Sequence, residues 1–143
     1  MSVPSDESGI IREADLLSMP EQEYMNRPQL EFFRDLLLTQ RRELLETAEA
    51  SINELRERPV FPDDADRASS EEEFTLLLRL RDRERKLLPK IDQALRRIEL
   101  GTYGWCEQTD EPIGLRRLLA RPTATLSVDG QEYKEATERH YSR

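Results

Sequence analysis

The chain has 143 residues and a formal net charge of −8, which excludes a broad basic surface that would bind DNA or RNA through its phosphates. Charged residues make up 36% of the chain and hydrophobic residues another 36%, a balance that favours a coiled coil with a modest core over a large enzyme pocket. The single cysteine excludes an internal disulfide, and no apolar run approaches the roughly 18 residues of a membrane-spanning helix, so we expect a soluble cytoplasmic protein.

Residues 1–27 form a polar N-terminal segment. Met1 to Gly9 is acidic, and we predict that it is disordered. If Ser8 to Ser18 is helical, its apolar residues lie on one face, and this short helix can dock on the base of the structure that follows. Those residues are Ile10, Ile11, Ala14 and Leu17.

The segment from Asn26 to Arg58 predicts a long helix. It contains no glycine, and its one early proline, Pro28, falls in the first turn, where a missing N–H is tolerated. Asn26 is a good N-cap, with Gln29 three residues later. A heptad-like seam runs through Leu30, Phe33, Leu37, Arg41, Leu44, Ala48, Ile52 and Leu55.

The segment from Ser69 to Leu100 predicts a second long helix. It also lacks glycine, and it contains one proline, Pro89, which should bend the helix or break its register around Arg85 to Pro89. Its seam consists of Phe74, Leu77, Arg81, Glu84, Leu88, Ile91, Leu95 and Ile98.

The two seams match when they are laid antiparallel, because the numbers of facing residues add to a nearly constant value. The facing pairs are Leu55 with Phe74, Ile52 with Leu77, Phe33 with Leu95, and Leu30 with Ile98. We therefore predict an antiparallel coiled-coil hairpin over residues 28–100, with arms about 45 Å long. In its polar middle layer, Arg41 and Ala48 should face Glu84 and Arg81, which we interpret as a device that fixes the register.

Residues 59–68 form the predicted tip of the hairpin, since Pro59 and Pro62 interrupt the helical pattern. From Phe61 to Glu73 the chain carries six acidic residues against the single Arg67. Composition alone favours a capping role for the polar residues Asp63, Asp66, Ser69 or Ser70. A functional tip needs a further argument.

Residues 101–143 predict a compact module. Gly101 is a natural C-cap for the second arm, Leu115 to Arg121 predicts a short helix, and Gln131 to Tyr141 predicts a last helix anchored by Tyr133 and Tyr141. The core candidates are Trp105, Ile113, Leu115, Leu118, Leu119, Leu126 and Val128. One cysteine, one histidine and no glycine-rich phosphate loop predict that the protein is not an enzyme.

Several motifs, in order along nearly the whole chain, resemble the DksA family of bacterial transcription factors. They are Glu23-Tyr24-Met25-Asn26, Phe61-Pro62-Asp63, Asp66-Arg67-Ala68, Glu71-Glu72-Glu73-Phe74, Arg81-Asp82-Arg83-Glu84-Arg85-Lys86-Leu87, Gly104 with Cys106, Ile113-Gly114-Leu115-Arg116-Arg117-Leu118 and Ala120-Arg121-Pro122-Thr123-Ala124. The resemblance implies a mainly α fold, in which a long antiparallel coiled-coil hairpin carries a small zinc-finger-like module and a C-terminal helix.

The resemblance also implies a partner, RNA polymerase, rather than sequence-specific binding to DNA. The hairpin of a monomer would enter the secondary channel of the polymerase and bring its acidic tip near the active site. It would destabilise open complexes at ribosomal RNA promoters together with the alarmone ppGpp. Asp63, Asp66 and Ala68 match the functional tip positions of the family, and Arg83 matches an arginine of the coil that contacts the polymerase.

Residues that match the ppGpp site of the family are Leu87, Lys90 and Arg121. Cations are the groups that bind phosphates. A further lysine of that site corresponds to the neutral Gln131, and Pro89 disturbs the backbone beside Lys90. We expect a response to ppGpp with weaker coupling.

The metal site is the main departure from the family. Its zinc-type members carry two C-x-x-C pairs, a tetrahedral zinc signature. Here the four positions are Cys106, Thr109, Ser127 and Gly130, which supply one thiol. We therefore expect no structural metal and a module held by packing around Trp105 and by hydrogen bonds, with His140 exposed in the tail. This is similar to the cysteine-poor, zinc-independent branch.

Two alternatives stay open. The hairpin can be an adaptor that binds another protein through its arms, with the tip acids acting only as caps. It can also be a secondary-channel factor that stimulates transcript cleavage by delivering Mg²⁺ to the polymerase.

Overall fold

The computed structural model describes residues 9–57 and 63–141. Within these ranges the helices are α1 (Glu13–Ser18), α2 (Arg27–Arg56), α3 (Asp64–Leu100), α4 (Leu115–Ala120) and α5 (Val128–Tyr141), with a 3₁₀ turn at Glu21–Glu23. None of these helices is long and apolar enough to cross a membrane. The predicted disorder of residues 1–8 and the first part of the predicted tip, residues 59–62, lie outside the described residues.

The chain packs into two compact units. The first unit comprises Met1–Leu37 and Ile91–Arg143, and the second comprises Leu38–Lys90. All buried apolar residues in the described ranges belong to the first unit: Ile11, Leu16, Phe33, Leu37, Ile91, Ala94, Tyr103, Cys106, Ile113, Leu118 and Leu126. In the second unit the buried residues are polar, namely Ser51 and Glu84. This agrees with the modest core that the composition predicts for a coiled coil.

Within the second unit, α2 and α3 pack side by side. Ala48 of α2 and both Arg81 and Glu84 of α3 border the same hollow, in agreement with the prediction for Ala48, whereas the facing of Arg41 and Glu84 stays a prediction. Most seam residues here, such as Leu44 and Leu88, are half-buried.

The N-terminus of α2 is capped as predicted, by Asn26. Its side-chain Oδ1 accepts a hydrogen bond of 3.0 Å from the backbone N–H of Gln29. The Gln29 side chain accepts one of 2.7 Å in return, but from the N–H of Met25 and not of Asn26. Met25 has a φ of 57°, and this turn brings its N–H toward Gln29. Gln29 is fully buried, so the cap belongs to the core of the first unit.

Helix α3 starts earlier than the predicted Ser69. The Asp63 carboxylate accepts a 2.9 Å hydrogen bond from the N–H of Ala65, and the Asp63 carbonyl accepts one of 2.9 Å from Arg67. Asp63 is therefore the N-cap of α3, and Asp66 and Ala68 lie on the helix.

Pro89 lies inside α3, which continues without interruption to Leu100, so the helix has no break there. A bend at Pro89 stays a prediction. The helix ends at Gly101, which has a φ of 78° and donates a 3.3 Å hydrogen bond to the carbonyl of Ile98. Only glycine adopts this conformation without strain, and the predicted C-cap is confirmed.

The core of the C-terminal module differs from the prediction. Trp105 is 40% exposed and Val128 is 56% exposed, whereas Tyr103 is only 2% exposed. The Tyr103 hydroxyl donates a 2.8 Å hydrogen bond to the carbonyl of Pro122, and its ring packs on Phe33. A buried tyrosine hydroxyl needs a hydrogen-bond acceptor, and the carbonyl of Pro122 is that acceptor for Tyr103. The prediction that the module packs around Trp105 is therefore wrong, and the buried aromatic residue of its core is Tyr103.

The two terminal helices also differ in detail from the prediction. The first spans Glu13–Ser18 and buries Leu16, which the predicted apolar face omitted, whereas the expected Ala14 is exposed. The last helix does not use its aromatic residues as anchors, because Tyr133 is 63% exposed and Tyr141 is 81% exposed. Its one buried residue is Gly130, in the first turn.

Candidate functional site

The first candidate site is the acidic start of α3. Asp63, Asp64 and Asp66 follow one another within one turn, and all three are exposed. Asp64 lies 4.0 Å from the Arg67 guanidinium, a weak surface pair. The positive end of the helix dipole favours carboxylates at this position. The turn thus presents several carboxylates to solvent without a loss of helix stability.

The three tip residues that were predicted to be functional have different local roles. Asp63 holds the helix end through its side chain, as described above. Asp66 and Ala68 lie on the exposed surface of α3. The capping interpretation is therefore right for Asp63, and it does not explain Asp66.

A second group of candidates lies further along α3, in the second unit. Arg83 and Lys90 are exposed, and Leu87 is half-buried. The neighbouring Arg85 and Lys86 both bind Asp82, at 2.9 and 2.8 Å. The hydrogen bond from Lys86, followed by its charge and by Arg85, lowers the pKa of Asp82. Arg121, the remaining residue of the predicted ppGpp set, belongs to the first unit and is exposed.

The four positions that correspond to zinc ligands form a hydrogen-bonded cluster in the first unit. The Ser127 hydroxyl donates to Cys106 Sγ at 3.4 Å and accepts from the backbone N–H of Gly130 at 3.0 Å. Thr109 Oγ1 accepts a 3.4 Å hydrogen bond from the N–H of Glu111. Cys106 and Ser127 are buried, with 1% and 8% of their surfaces exposed. The predicted hydrogen bonds through Thr109 and Ser127 are present.

These four residues do not fit a zinc ion. Zinc in a structural site needs four ligands, and here one thiol is present, the two hydroxyls accept hydrogen bonds from backbone N–H groups, and Gly130 has no side chain. A Cβ atom on Gly130 would collide with Cys106 Sγ. The described residues also hold no group of three or more His, Cys, Asp and Glu side chains that could bind a metal. His140 is exposed on α5 beside Tyr141.

The cluster changes the acidity of its thiol. Burial disfavours the thiolate, but hydrogen bonds from the Ser127 and Thr109 side chains, and from the backbone of Ser127 and Gln108, outweigh burial and lower the pKa of Cys106 to about 6. Such donors are the groups that stabilise a thiolate when no metal is present.

Other contacts that hold the module come from residues that the sequence pattern did not single out. The Tyr24 hydroxyl donates to the carbonyl of Gly104 at 2.6 Å and accepts from the N–H of Gly114 at 2.9 Å, and burial raises its pKa. Its ring meets Trp105 edge-on, with the ring centroids 5.3 Å apart. Arg97 of α3 binds Glu107 at 2.9 Å. The only sequence signal that could have pointed to Tyr24 is its place in the Glu23-Tyr24-Met25-Asn26 motif.

The chain matches two family models in order. Residues 29–98 match the DnaK suppressor protein DksA, N-terminal domain, and residues 101–136 match the prokaryotic dksA/traR C4-type zinc finger. The chain is 50% identical over 131 residues to the RNA polymerase-binding transcription factor DksA of Caulobacter vibrioides, covering 91% of this chain and 92% of that protein. It is 44% identical over 121 residues to the protein of the same name from Escherichia coli K12, covering 84% and 80%.

A solved structure is also similar. The structure of transcription factor DksA2 from Pseudomonas aeruginosa superposes with a TM-score of 0.76 at 55% sequence identity, and the match covers 90% of this chain and 100% of that one.

Proposed function

This chain belongs to the DksA family, and on that premise we propose that it is a transcription regulator that binds RNA polymerase. The names of its relatives in Caulobacter vibrioides and Escherichia coli, which describe polymerase-binding factors, support the proposal. So does the acidic composition, which suits a protein partner better than a nucleic acid. Transcription takes place in the bacterial cytoplasm, and we expect the protein there, as a monomer.

We propose that the hairpin enters the secondary channel and brings the turn of Asp63, Asp66 and Ala68 near the active site. The observation that carries this proposal is the exposed row of carboxylates at the start of α3. Carboxylates on a slender support can pair with basic groups in a narrow channel, where screening by solvent is reduced. Arg83 would contact the polymerase along the coil. These contacts would destabilise open complexes at promoters of the ribosomal RNA type.

We propose that ppGpp strengthens this effect at the polymerase interface through Leu87, Lys90 and Arg121. The two cations are exposed and thus available to phosphates. Gln131 brings no charge to the fourth position, so we expect weaker coupling than in relatives with a lysine there.

We also propose that the protein acts without zinc. The hydrogen bonds among Cys106, Ser127 and Gly130 and the collision that a Gly130 side chain would cause support this proposal, because they fill the space of an ion with direct contacts. A fold that does not depend on a metal persists when zinc is scarce.

In vitro transcription from a ribosomal RNA promoter tests the proposal. We expect inhibition that increases with ppGpp and is unchanged by a zinc chelator, and a zinc-type relative in the same assay serves as the control for chelation. The Asp66→Asn variant should show reduced inhibition and keep its fold. An adaptor would give no promoter effect, and a cleavage factor would shorten stalled transcripts; either result would overturn the proposed mechanism.

A further inference from the structure

Arg121 lies where helix α4 ends, at the start of the loop that leads to α5. Arg121 is exposed, whereas the next residue, Pro122, is buried. Within the part of the chain that the structure describes, no ion pair or hydrogen bond engages the guanidinium group of Arg121. The guanidinium group of Arg117, one turn earlier, instead donates to a backbone carbonyl. The Arg121 side chain is therefore available to a ligand outside the chain.

The backbone of Arg121 is held on both sides. Its N–H donates a 2.8 Å hydrogen bond to the carbonyl of Arg117, and its carbonyl accepts one of 2.9 Å from the N–H of Ala124. Its φ of −139° and ψ of 86° turn the chain out of the helix. The point from which the side chain extends is thus fixed, although the side chain itself has no partner in the described residues.

Tyr103 holds the residue that follows Arg121. Its hydroxyl donates a 2.8 Å hydrogen bond to the carbonyl of Pro122, and only 2% of Tyr103 is exposed. Water therefore cannot replace this donor while the core stays closed. The N–H of Tyr103 in turn donates to the carbonyl of Arg97 in α3 at 3.2 Å. One buried residue thus connects the end of α3 to the loop that carries Arg121, within the first unit.

The far end of this loop has anchors of its own. The carbonyl of Thr125 accepts a 2.9 Å hydrogen bond from the N–H of Glu107. The carbonyl of Leu126 accepts one of 2.8 Å from Nε of Arg117. The near end depends on a side chain that is far from it in the sequence, Tyr103, which makes that hydroxyl the group to test.

We propose that Tyr103 is a positioning residue for Arg121. Through the carbonyl of Pro122, it keeps the loop in the conformation that presents the guanidinium group to a phosphate of ppGpp. This inference rests on the proposed function, because it requires Arg121 to contact ppGpp at the polymerase. A guanidinium group binds phosphate in a defined geometry, and a loop that is already ordered loses less conformational entropy when the ligand binds.

The first measurement uses the protein alone and does not rest on the proposed function. Backbone ¹⁵N relaxation gives order parameters for the amides of Arg121, Thr123 and Ala124. We expect about 0.85 in the parent, as in rigid backbone, and values that fall toward about 0.6 in Tyr103→Phe. Tyr24→Phe is the control, because its hydroxyl bonds other turns of the module, and the loop should stay rigid. Equal order parameters in Tyr103→Phe and the parent would overturn the inference.

The second measurement is inhibition of transcription as a function of ppGpp concentration. In Tyr103→Phe the half-maximal ppGpp concentration should rise roughly three- to tenfold, the effect of one hydrogen bond, while inhibition without ppGpp changes far less. Tyr24→Phe also removes one hydroxyl from the module and should leave the half-maximal concentration near that of the parent. An equal rise in both variants would show a general loss of stability and would overturn the positioning role.

A double-mutant cycle tests whether Tyr103 acts through Arg121. In the background of Arg121→Gln, Tyr103→Phe should cause no further rise, and an additive rise would overturn the inference. If Tyr103→Phe does not fold, Arg117→Lys replaces it, because this variant keeps the charge and loses the Nε donor that holds the far end of the loop. It should raise the half-maximal concentration in the same direction, and no rise would count against the role of the loop.

Failure of the proposed function gives a different result. A parent protein that inhibits transcription without any response to ppGpp would overturn the proposed ppGpp contact, and this inference with it. A parent that responds to ppGpp while Tyr103→Phe responds equally well would overturn this inference alone.

Discussion

The hydroxyl group of Tyr24 donates a 2.6 Å hydrogen bond to the carbonyl of Gly104, 80 residues further along the chain. The same hydroxyl accepts a hydrogen bond from the N–H of Gly114. Gly104 has a φ of 90°, and a Cβ atom there would lie 2.7 Å from Met25 Sδ and 3.2 Å from the Tyr24 hydroxyl. One side chain before α2 thus joins two turns of the C-terminal module.

Replacement of this tyrosine by phenylalanine tests the joint. Tyr24→Phe keeps the ring and its contact with Trp105, but it leaves the N–H of Gly114 without its partner and removes one of the two hydrogen bonds that the carbonyl of Gly104 accepts. We expect a loss of about 1–3 kcal/mol in the free energy of unfolding, measured by urea denaturation. Tyr133→Phe, at an exposed tyrosine, is the control and should change stability by less than about 0.5 kcal/mol. Equal midpoints for the two variants would contradict this role of Tyr24.

Substitutions of Asp63 and Asp66 at the start of α3 should distinguish effects on stability from effects on transcription. Asp63→Ala removes the N-cap and should destabilise the protein by about 1 kcal/mol, whereas Asp63→Asn keeps a capping side chain and should not. Asp66→Asn removes a charge from the exposed helix surface and should leave the unfolding midpoint nearly unchanged.

In the transcription assay, Asp63→Asn and Asp66→Asn should both reduce inhibition, because both remove a carboxylate from the turn. Full inhibition by both variants would overturn the proposed role of these carboxylates at the polymerase.

The acidity of Cys106 predicts a pH dependence of stability. The pKa of its thiol is lowered from 9.0 to about 6 in the folded protein. A lowered pKa means that folding favours the thiolate, so this contribution is complete above about pH 9 and is lost as the pH falls toward 6. We expect the free energy of unfolding to rise with pH over this window and the rise to be smaller in Cys106→Ala. Ultraviolet absorbance of the thiolate gives the midpoint directly, and a midpoint near 9 would contradict the assignment.

Gly130 lies in the first turn of α5, where alanine is normally the better helix former by about 1 kcal/mol. Here Gly130→Ala should destabilise the protein, because the added Cβ atom collides with Cys106 Sγ and lies 3.2 Å from Ser127 Oγ. In the background of Cys106→Ala the sulfur is absent, and the same substitution should cost less. A double-mutant cycle measures the coupling, and additive effects would exclude the contact.

The sequence predicts the long helices well, because their periodicity and end signals are strong. Asn26 and Gly101 mark a helix start and a helix end, and both do so in the structure. The start of α3 was placed too late, since the tip contains several residues able to cap and periodicity does not say which one does. Asp63 does so by its hydrogen bond to Ala65.

The C-terminal module was harder to predict, because it has little periodicity. Trp105 and Tyr103 are neighbouring aromatic residues, and composition favours the larger one as the core residue. The decisive fact is the hydrogen bond from the Tyr103 hydroxyl to Pro122, which only the folded chain provides. The family resemblance predicts which four positions correspond to the zinc ligands. It does not explain why position 130 is a glycine, because only the folded chain shows that the sulfur of Cys106 occupies the space of a side chain there.

The distribution of buried side chains also bears on local opening. In the described ranges, the second unit buries Ser51 and Glu84 but no apolar residue, whereas the first unit contains the whole apolar core. Local opening costs least where few apolar contacts are lost. Backbone amides of residues 38–57 and 63–90 should therefore exchange with deuterium through local opening of the helices. Those around Phe33 and Ile91 should exchange only when the whole protein unfolds. The segment that we propose to enter the polymerase is thus the one whose helices loosen most easily.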